Sequence, residues 1–211
     1  MAVLAETERV RRYYERIAPR YDEYVGYFET LLVGDGRRWV CSQAVGDVLE
    51  LAVGTGRNLP YYPSDVRLTG VDLTPAMIDL ARQRADALGR TVHLQVGDAQ
   101  ALDLPDARFD TFVATLALSS IPDERQALAE ARRVLRPGGR LLLLEHVRSP
   151  LLPVRALQRL LDPLFVHCHG DHLLREPLDH LAAAGFVVER VERSKGGMIE
   201  RLVARTPAAT S

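Results

Sequence analysis

The sequence predicts an α/β fold in which buried strands alternate with helices around a mostly parallel sheet. Two apolar segments carry this prediction, because VLEL at 48–51 and LTGVDL at 68–73 have the length of buried strands. A glycine-rich turn, AVGTGRNL at 52–59, follows the first segment and begins a short helical stretch. The chain from Glu50 to Asp72 therefore has the length of one strand–turn–helix–turn–strand unit, as parallel strands require.

The N-terminal part of the chain predicts helices. Apolar and aromatic side chains recur at three- and four-residue spacing between residues 6 and 33, which indicates amphipathic helix. Pro19 interrupts the pattern, so we expect two helices or a kink there. We interpret residues 1–40 as a helical lid over a ligand site.

Strand and helix signals then alternate as far as residue 146. The predicted strands lie at 47–51, 67–72, 92–96, 111–116 and 140–146. Thr74 and Pro75 mark the start of the helix after the second strand, as cap and first residue. Asp123 caps the helix before the fifth strand, with Gln126 three residues later.

The pattern changes after the fifth strand. Residues 148–176 contain three prolines and an amphipathic stretch at 154–165. Ligands of open α/β sheets bind beyond the carboxyl ends of the strands, so we interpret this segment as an insertion over the acceptor side of the site. A helix is expected at 176–184.

The chain ends in a predicted hairpin. Two β-rich segments, at 186–193 and 198–205, are joined by Lys195-Gly196-Gly197, which is a turn signal. No repeat or second core is evident, so residues 1–211 are expected to form one domain.

Composition narrows the function classes. The 211 residues are 47% hydrophobic and 26% charged, with a net charge of −1, which is ordinary for a globular domain and unlike a nucleic-acid binder. The two cysteines are far apart and no secretory signal is present, so a reducing, cytoplasmic location is expected. No apolar run is long enough to span a membrane; peripheral membrane contact stays open, as does the choice between monomer and homodimer.

The glycine turn predicts a nucleotide-like ligand. Gly54 and Gly56 let the backbone approach a ligand closely, and Asp72 ends the next strand where it can accept hydrogen bonds from ribose hydroxyls. A dinucleotide site requires G-x-G-x-x-G, but Leu59 stands in place of the third glycine. Glu50 in the preceding strand suits a ligand with a charged amino group, such as S-adenosylmethionine.

Further motifs make the resemblance specific. ELAVGTG at 50–56, Val-Asp at 71–72, VGDA at 96–99, FDTFVA at 109–114 and VLRPGGRL at 134–141 follow in order and spacing. Together they resemble the motif set of class I S-adenosylmethionine-dependent methyltransferases, in the small-molecule branch that includes the ubiquinone/menaquinone-biosynthesis enzymes. That resemblance implies a Rossmann-like, seven-stranded methyltransferase sheet with a C-terminal antiparallel hairpin and helices on both faces.

The resemblance also assigns cofactor-binding roles. It implies that Asp72 binds ribose, that Asp98 and Ala99 contact adenine, and that further residues surround the rest of the cofactor. Those further residues are Tyr21, Glu50, Ala52, Gly54, Gly56, Leu73, Met77 and Leu116. Ala52 replaces the first glycine of the family's usual turn, which is the smallest change available.

Other runs point to the acceptor. NLPYYP at 58–63, LEHV at 144–147 and REPL at 175–178 resemble a sub-branch of thiol S-methyltransferases and bacterial phospholipid N-methyltransferases. The acceptor is therefore expected to be small and lipophilic: a thiol, a quinol-like ring or a lipid amine.

Three residues are candidates for proton transfer. LSSIPD at 118–123 stands where many relatives carry histidines, and serine is a poor base. Glu145 and His146, at the carboxyl end of the fifth strand, are the first choice. His172, in the run HCHGDH, is the next; this nitrogen-rich run is expected to line the acceptor pocket and to hold no metal.

Two other functions fit parts of the pattern. A non-catalytic S-adenosylmethionine-binding protein would carry the same motifs. A nicotinamide-dependent oxidoreductase is disfavoured by the missing third glycine and by the lack of a Tyr-x-x-x-Lys pair at Lys195, the single lysine. A nucleic-acid methyltransferase is disfavoured because ALSS at 117–120 lacks the Pro-Pro-aromatic run that holds a flipped base.

Overall fold

The computed structural model describes residues 2–208 and contains one seven-stranded sheet. The strands are β1 Asp47–Leu51, β2 Arg67–Asp72, β3 Val92–Val96, β4 Phe109–Thr115, β5 Leu135–His146, β6 Val187–Ser194 and β7 Ile199–Arg205. Their order in the sheet is β3-β2-β1-β4-β5-β7-β6. Strand β7 is antiparallel to both of its neighbours, β5 and β6, and the other neighbouring pairs are parallel. This confirms the predicted mostly parallel sheet with a C-terminal antiparallel hairpin.

Helices cover both faces of the sheet. They are α1 Ala2–Ile17, α2 Tyr21–Leu32, α3 Gly36–Cys41, α4 Pro75–Ala87, α5 Glu124–Val134, α6 Leu152–His169 and α7 Leu178–Leu181. Pro19 lies in a short 3-10 helix between α1 and α2, so the predicted break is present. Within residues 2–208, no helix combines the length and the apolarity that a bilayer crossing requires.

The core is split between the two faces because side chains of a strand alternate in direction. Phe112, Leu141 and Leu143 pack on one side with helix α5. Val113 and Leu142, the alternate positions, pack on the other side with α3. Both faces of β4 and β5 are therefore buried, which explains their continuous apolar sequence.

Three local predictions are wrong in their details. The helix expected after the glycine turn is only a 3-10 turn at Leu59–Tyr61, because Tyr62, which precedes Pro63, adopts an extended conformation with ψ 145°. The helix expected at 176–184 is α-helical only at Leu178–Leu181. Beyond this segment the backbone forms 3-10-type bonds between residues three apart, such as Gly185 N to Ala182 O. Thr74 precedes α4 but its side chain makes no cap bond.

Candidate functional site

A cleft opens at the carboxyl ends of β1, β2 and β4. The empty space of this cleft, including the part open to solvent, is about 860 Å³. Thr7, Val10 and Tyr14 of α1 and Tyr21 of α2 form the opposite wall. The N-terminal helices thus contribute side chains directly to the cleft.

Most of the predicted cofactor residues meet in this cleft. The lining includes Tyr21, Ala52, Gly54, Asp72, Leu73, Met77, Asp98, Ala99 and Leu116. Glu50 and Gly56 are not among the lining residues. Four strand ends that are distant in sequence are therefore brought to one place by the strand order of the sheet.

The backbone is strained where it enters the cleft. Ala52 after β1 and Leu116 after β4 have φ values of +50° and +54°, a region that residues with a side chain rarely adopt. Gly54 has φ +54°, and a Cβ built on it would meet only the Ala52 carbonyl oxygen, at 3.9 Å. The space above Gly54 is open, so this turn forms a cradle that a side chain would fill.

Asp72 ties the glycine turn to the end of β2. Its Oδ2 accepts a hydrogen bond from Gly54 N at 2.9 Å, and its Oδ1 accepts bonds from Thr74 N at 3.0 Å and Thr74 Oγ1 at 2.8 Å. Burial raises the pKa of Asp72, while these donors act in the opposite sense. The Oδ2 atom keeps one unused lone pair at the cleft.

Asp98 lies at the end of the cleft beyond β3. Its Oδ1 accepts bonds from Gln100 N at 2.9 Å and Gln100 Nε2 at 3.0 Å. Gln100 Nε2 also donates to Thr7 Oγ1 at 3.1 Å, so this end is tied to α1. Met77 is fully buried beside it, which gives the pocket an apolar floor.

Glu50 lies behind the glycine turn. Its oxygens accept bonds from Asn58 Nδ2 at 2.8 Å and from the Tyr62 hydroxyl at 2.9 Å. Burial raises the pKa of Glu50 to about 7. The carboxyl group is thus committed to the residues after the turn, and the structure does not place it where a bound amino group would contact it.

Gly56 has a packing role. A Cβ there would lie 2.9 Å from Leu59 Cδ1 and 3.3 Å from the Ala81 Cα. Leu59, which replaces the third glycine of a dinucleotide motif, is itself buried in the core. The side chain of Leu59 fills the space that a diphosphate-binding turn would leave free.

Sequence reasoning missed an arginine in the cleft. Arg37 of α3 lines the cleft and donates through Nη1 to Asn58 Oδ1 at 2.8 Å and Thr115 Oγ1 at 2.9 Å. Its Nε donates to Glu29 Oε2 at 3.0 Å, and Arg57 Nε reaches the same oxygen at 3.0 Å. Helices α2 and α3 and the glycine turn are therefore joined by one charged network.

The remaining part of the cleft is mostly apolar. It is lined by Val10, Tyr14, Ser120, Ile121 and Pro122. Burial raises the pKa of Tyr14 well above its ordinary value of 10.0, although the Ser120 hydroxyl acts in the opposite sense. This part suits the apolar body of a second ligand.

Glu145 does not line the cleft but supports its wall. Its Oε1 accepts bonds from Ala117 N at 3.0 Å and Leu118 N at 3.1 Å, immediately after Leu116. The other oxygen, Oε2, is buried and has no partner among the described residues. Burial raises the pKa of Glu145 to about 7.

His146 also lies outside the cleft lining. Its Nε2 is 3.0 Å from Asp171 Oδ1. Burial acts to lower the pKa of His146, but the Asp171 carboxylate outweighs it and holds the pKa above its ordinary value. Asp171 in turn has a lowered pKa: burial acts to raise it, but His146 and the Ser119 hydroxyl outweigh this effect.

His172 faces a different groove. Its backbone N donates to Ser119 O at 3.0 Å, and its Nε2 lies 3.6 Å from Glu6 Oε1. The groove is lined by polar side chains that include Glu124, Arg148 and His180. Over residues 2–208, no three His, Cys, Asp or Glu side chains are grouped as metal ligands would be.

Comparisons with known proteins agree with this geometry. The family profile described as a methyltransferase domain matches residues 49–143. A ubiquinone/menaquinone biosynthesis C-methyltransferase of Geobacter sp. is 31% identical over 72% of this chain and 69% of its own length. A thiol S-methyltransferase of Rattus norvegicus is 35% identical over 69% of this chain and 62% of its own length.

Solved structures extend the likeness of the fold. A SAM-dependent methyltransferase from Thermotoga maritima is 22% identical, has a TM-score of 0.72, and matches over 92% of this chain and 99% of its own. The alignments with two further curated methyltransferases cover only 58% and 60% of the lengths of those proteins, so this chain spans less than two thirds of them.

Proposed function

The chain belongs to the class I S-adenosylmethionine-dependent methyltransferases, and on that premise we propose that it transfers a methyl group to a small lipophilic acceptor, first of all a thiol. The observation that carries this proposal is the shape of the cleft. One part is lined by the strained turns and acids that fit the cofactor, and the adjoining part is lined mostly by apolar side chains, which suits a lipophilic acceptor.

The residues of the cleft fit the cofactor. The open space above Gly54 accommodates a ligand atom, and Asp72 has a free lone pair for a ribose hydroxyl. Asp98 lies where the edge of adenine would be bound. The cations of the lining are Arg37 and Arg57, which we assign to a carboxylate at the opposite end, a role that the sequence did not suggest. When bound, the cofactor supplies a methyl carbon already activated by a sulfonium.

Glu50, Glu145 and His146 are proposed as positioning residues. Glu50 fixes the segment after the glycine turn through Asn58 and Tyr62. Glu145 fixes the turn after β4, and His146 orders the loop around Asp171. Each acts on the cleft through another residue, because none of the three lines it.

The lining also bears on the acceptor atom. No histidine or glutamate is among the described residues that line the cleft, and its two carboxylates, Asp72 and Asp98, are already hydrogen-bonded. Without a base, the acceptor must ionise by itself near neutral pH. A thiol does so far more readily than an alcohol; the cysteine thiol, for example, has a pKa of about 8.5. A quinol-like ring and a lipid amine are the next candidates.

The test measures release of the demethylated cofactor from purified protein with S-adenosylmethionine. The acceptors are an alkyl thiol, a hydroquinone and a primary amine of equal chain length. We expect turnover with the thiol. Turnover restricted to the hydroquinone or the amine would refute the order of acceptors, and cofactor binding without turnover on any of the three would refute the proposed activity.

A matched pair of variants tests the site itself. Asp72→Asn removes the charge that faces the ribose, and we expect cofactor affinity to fall at least about tenfold. Asp47→Asn is the control. It removes the carboxylate of another buried aspartate, which lies at the start of β1, at the opposite edge of the sheet from Asp72, and accepts a bond from Arg67. Calorimetric affinity for the demethylated cofactor should be unchanged in Asp47→Asn; equal affinities in both variants would contradict the assignment of Asp72.

A further inference from the structure

Helix α6 presents a continuous apolar face to solvent. The residues of this face, here called the leucine face, are Leu152, Pro153, Leu157, Leu160 and Leu164. Pro153, Leu157, Leu160 and Leu164 recur at three- and four-residue spacing, so they form one stripe. Leu160 and Leu152 are 76% and 74% exposed, an unusual exposure for two large apolar side chains of one helix.

The orientation of α6 is fixed by polar bonds on its inner side. The buried Gln158 donates to Val147 O at 3.0 Å and to Leu173 O at 3.1 Å. Asp162 Oδ1 accepts a bond from Leu173 N at 2.7 Å. These bonds hold the polar side of the helix against the domain, so the leucine face cannot turn inward without breaking them.

The charges beside the leucine face are of one sign. Arg159 is exposed at its margin, whereas Arg155 is half-buried on the inner side of the helix, where it donates to Ser149 O at 2.9 Å and Pro150 O at 3.2 Å. The single acid of α6, Asp162, points inward to Leu173 N. An apolar stripe with an exposed arginine at its margin, and no exposed acid on the same helix, suits the surface of an anionic bilayer.

We propose that the leucine face of α6 docks on a lipid surface that contains anionic headgroups. The leucines enter the boundary between headgroups and acyl chains, while Arg159 contacts lipid phosphate. A second copy is a poorer occupant, because two-fold pairing of this face brings like-charged arginines together without an acid to separate them. A link to delivery of a lipophilic acceptor rests on the proposed function; the docking itself does not.

The experiment is flotation of the full chain with vesicles of phosphatidylcholine, with or without phosphatidylglycerol. We expect binding to the vesicles that contain phosphatidylglycerol and a decrease with added salt. The double variant Leu160→Gln and Leu164→Gln should bind at least about tenfold more weakly, because two exposed leucines lose the apolar area that would be buried. Circular dichroism and thermal midpoint should match the wild type, since both side chains are exposed.

Matched controls separate this face from exposed residues in general. Leu88→Gln alters an exposed leucine after α4 and should bind vesicles as the wild type does. Arg159→Gln should lose part of the preference for phosphatidylglycerol, whereas Arg125→Gln, on the exposed side of α5, should keep it.

Three results would overturn the proposal. The first is no flotation of the wild type with either vesicle. The second is equal flotation of the wild type and the Leu160/Leu164 double variant. The third is a dimer in solution that the double variant dissociates while the wild type ignores vesicles, which would assign the face to a second copy. Flotation requires no turnover, so its failure is distinguishable from failure of the methyltransferase proposal.

Discussion

Replacing Glu145 by glutamine should change how the stability of the protein depends on pH. The carboxyl group is fully buried among the strand ends, with one oxygen bonded to two backbone N–H groups and the other without a partner. Burial raises its pKa to about 7 from an ordinary 4.5. The folded protein therefore holds a proton that the unfolded chain releases between these two pH values.

The sign and size of the effect follow from this difference. A raised pKa in the folded state contributes stability that is fully present below about pH 4.5 and lost as pH rises through about 7. The loss is about 3 kcal/mol for Glu145, at 1.36 kcal/mol per pKa unit. Glu50, whose pKa is also raised to about 7 by burial, contributes a second loss of the same sign and size.

In the Glu145→Gln variant, the part of the pH dependence of stability that comes from residue 145 should disappear, while the part that comes from Glu50 should remain. Glutamine preserves the acceptor for Ala117 N and Leu118 N, and its amide, like the protonated acid, leaves one polar atom unpaired. We expect the free energies of unfolding to agree within about 1 kcal/mol at pH 5. At pH 8 the variant should be more stable by up to about 3 kcal/mol.

Urea unfolding followed by tryptophan fluorescence at pH 5, 6, 7 and 8 gives these free energies. Glu23→Gln, which changes an exposed glutamate of α2, is the control and should follow the wild-type curve. If the curves of Glu145→Gln and the wild type run parallel from pH 5 to 8, the carboxyl group does not titrate in this range and the reasoning from burial is refuted.

Three further outcomes follow from the cleft. Gly54→Ala and Gly89→Ala both place a Cβ at positive φ with little around it, so each should lower the free energy of unfolding by about 1 kcal/mol. Only Gly54→Ala should also weaken cofactor binding, by about tenfold or more in calorimetry. Arg37→Met should lower the free energy of unfolding in urea by about 3 kcal/mol, because it removes a partner of the buried Glu29. The double variant Arg37→Met and Glu29→Gln should recover part of that loss. With a thiol acceptor, kcat/KM should rise about tenfold per pH unit up to the pKa of that thiol; a plateau starting near pH 7 would instead reveal a base supplied by the protein.

The part of the cleft at the strand ends could be predicted from sequence because its geometry is local to the strands. Gly54 follows β1 and Asp72 ends β2, and neighbouring parallel strands end at one edge of the sheet. Most of the residues named from the motifs line the cleft. Glu50 and Gly56 do not line it, because sequence spacing cannot distinguish a side chain facing the cleft from one facing the core behind the turn.

Arg37 and Asp171 could not be predicted, because their roles come from contacts across long stretches of chain. Arg37 reaches Asn58 and Thr115, which lie in the turn after β1 and at the end of β4. Asp171 meets His146 only because the chain returns after α6. An arginine and an aspartate in loop-like sequence are most often solvated, and nothing in their neighbours marks these two.

Helix α1 contributes to both parts of the cleft, and this has a kinetic consequence. Thr7 is bonded to Gln100 beside Asp98, while Val10 and Tyr14 line the apolar part. In the proposed arrangement α1 lies against both ligands, so we expect one opening motion of this helix to govern their exchange. Release of the methylated product and of the spent cofactor should share one rate constant, so loosening the Thr7–Gln100 contact is expected to accelerate both departures together.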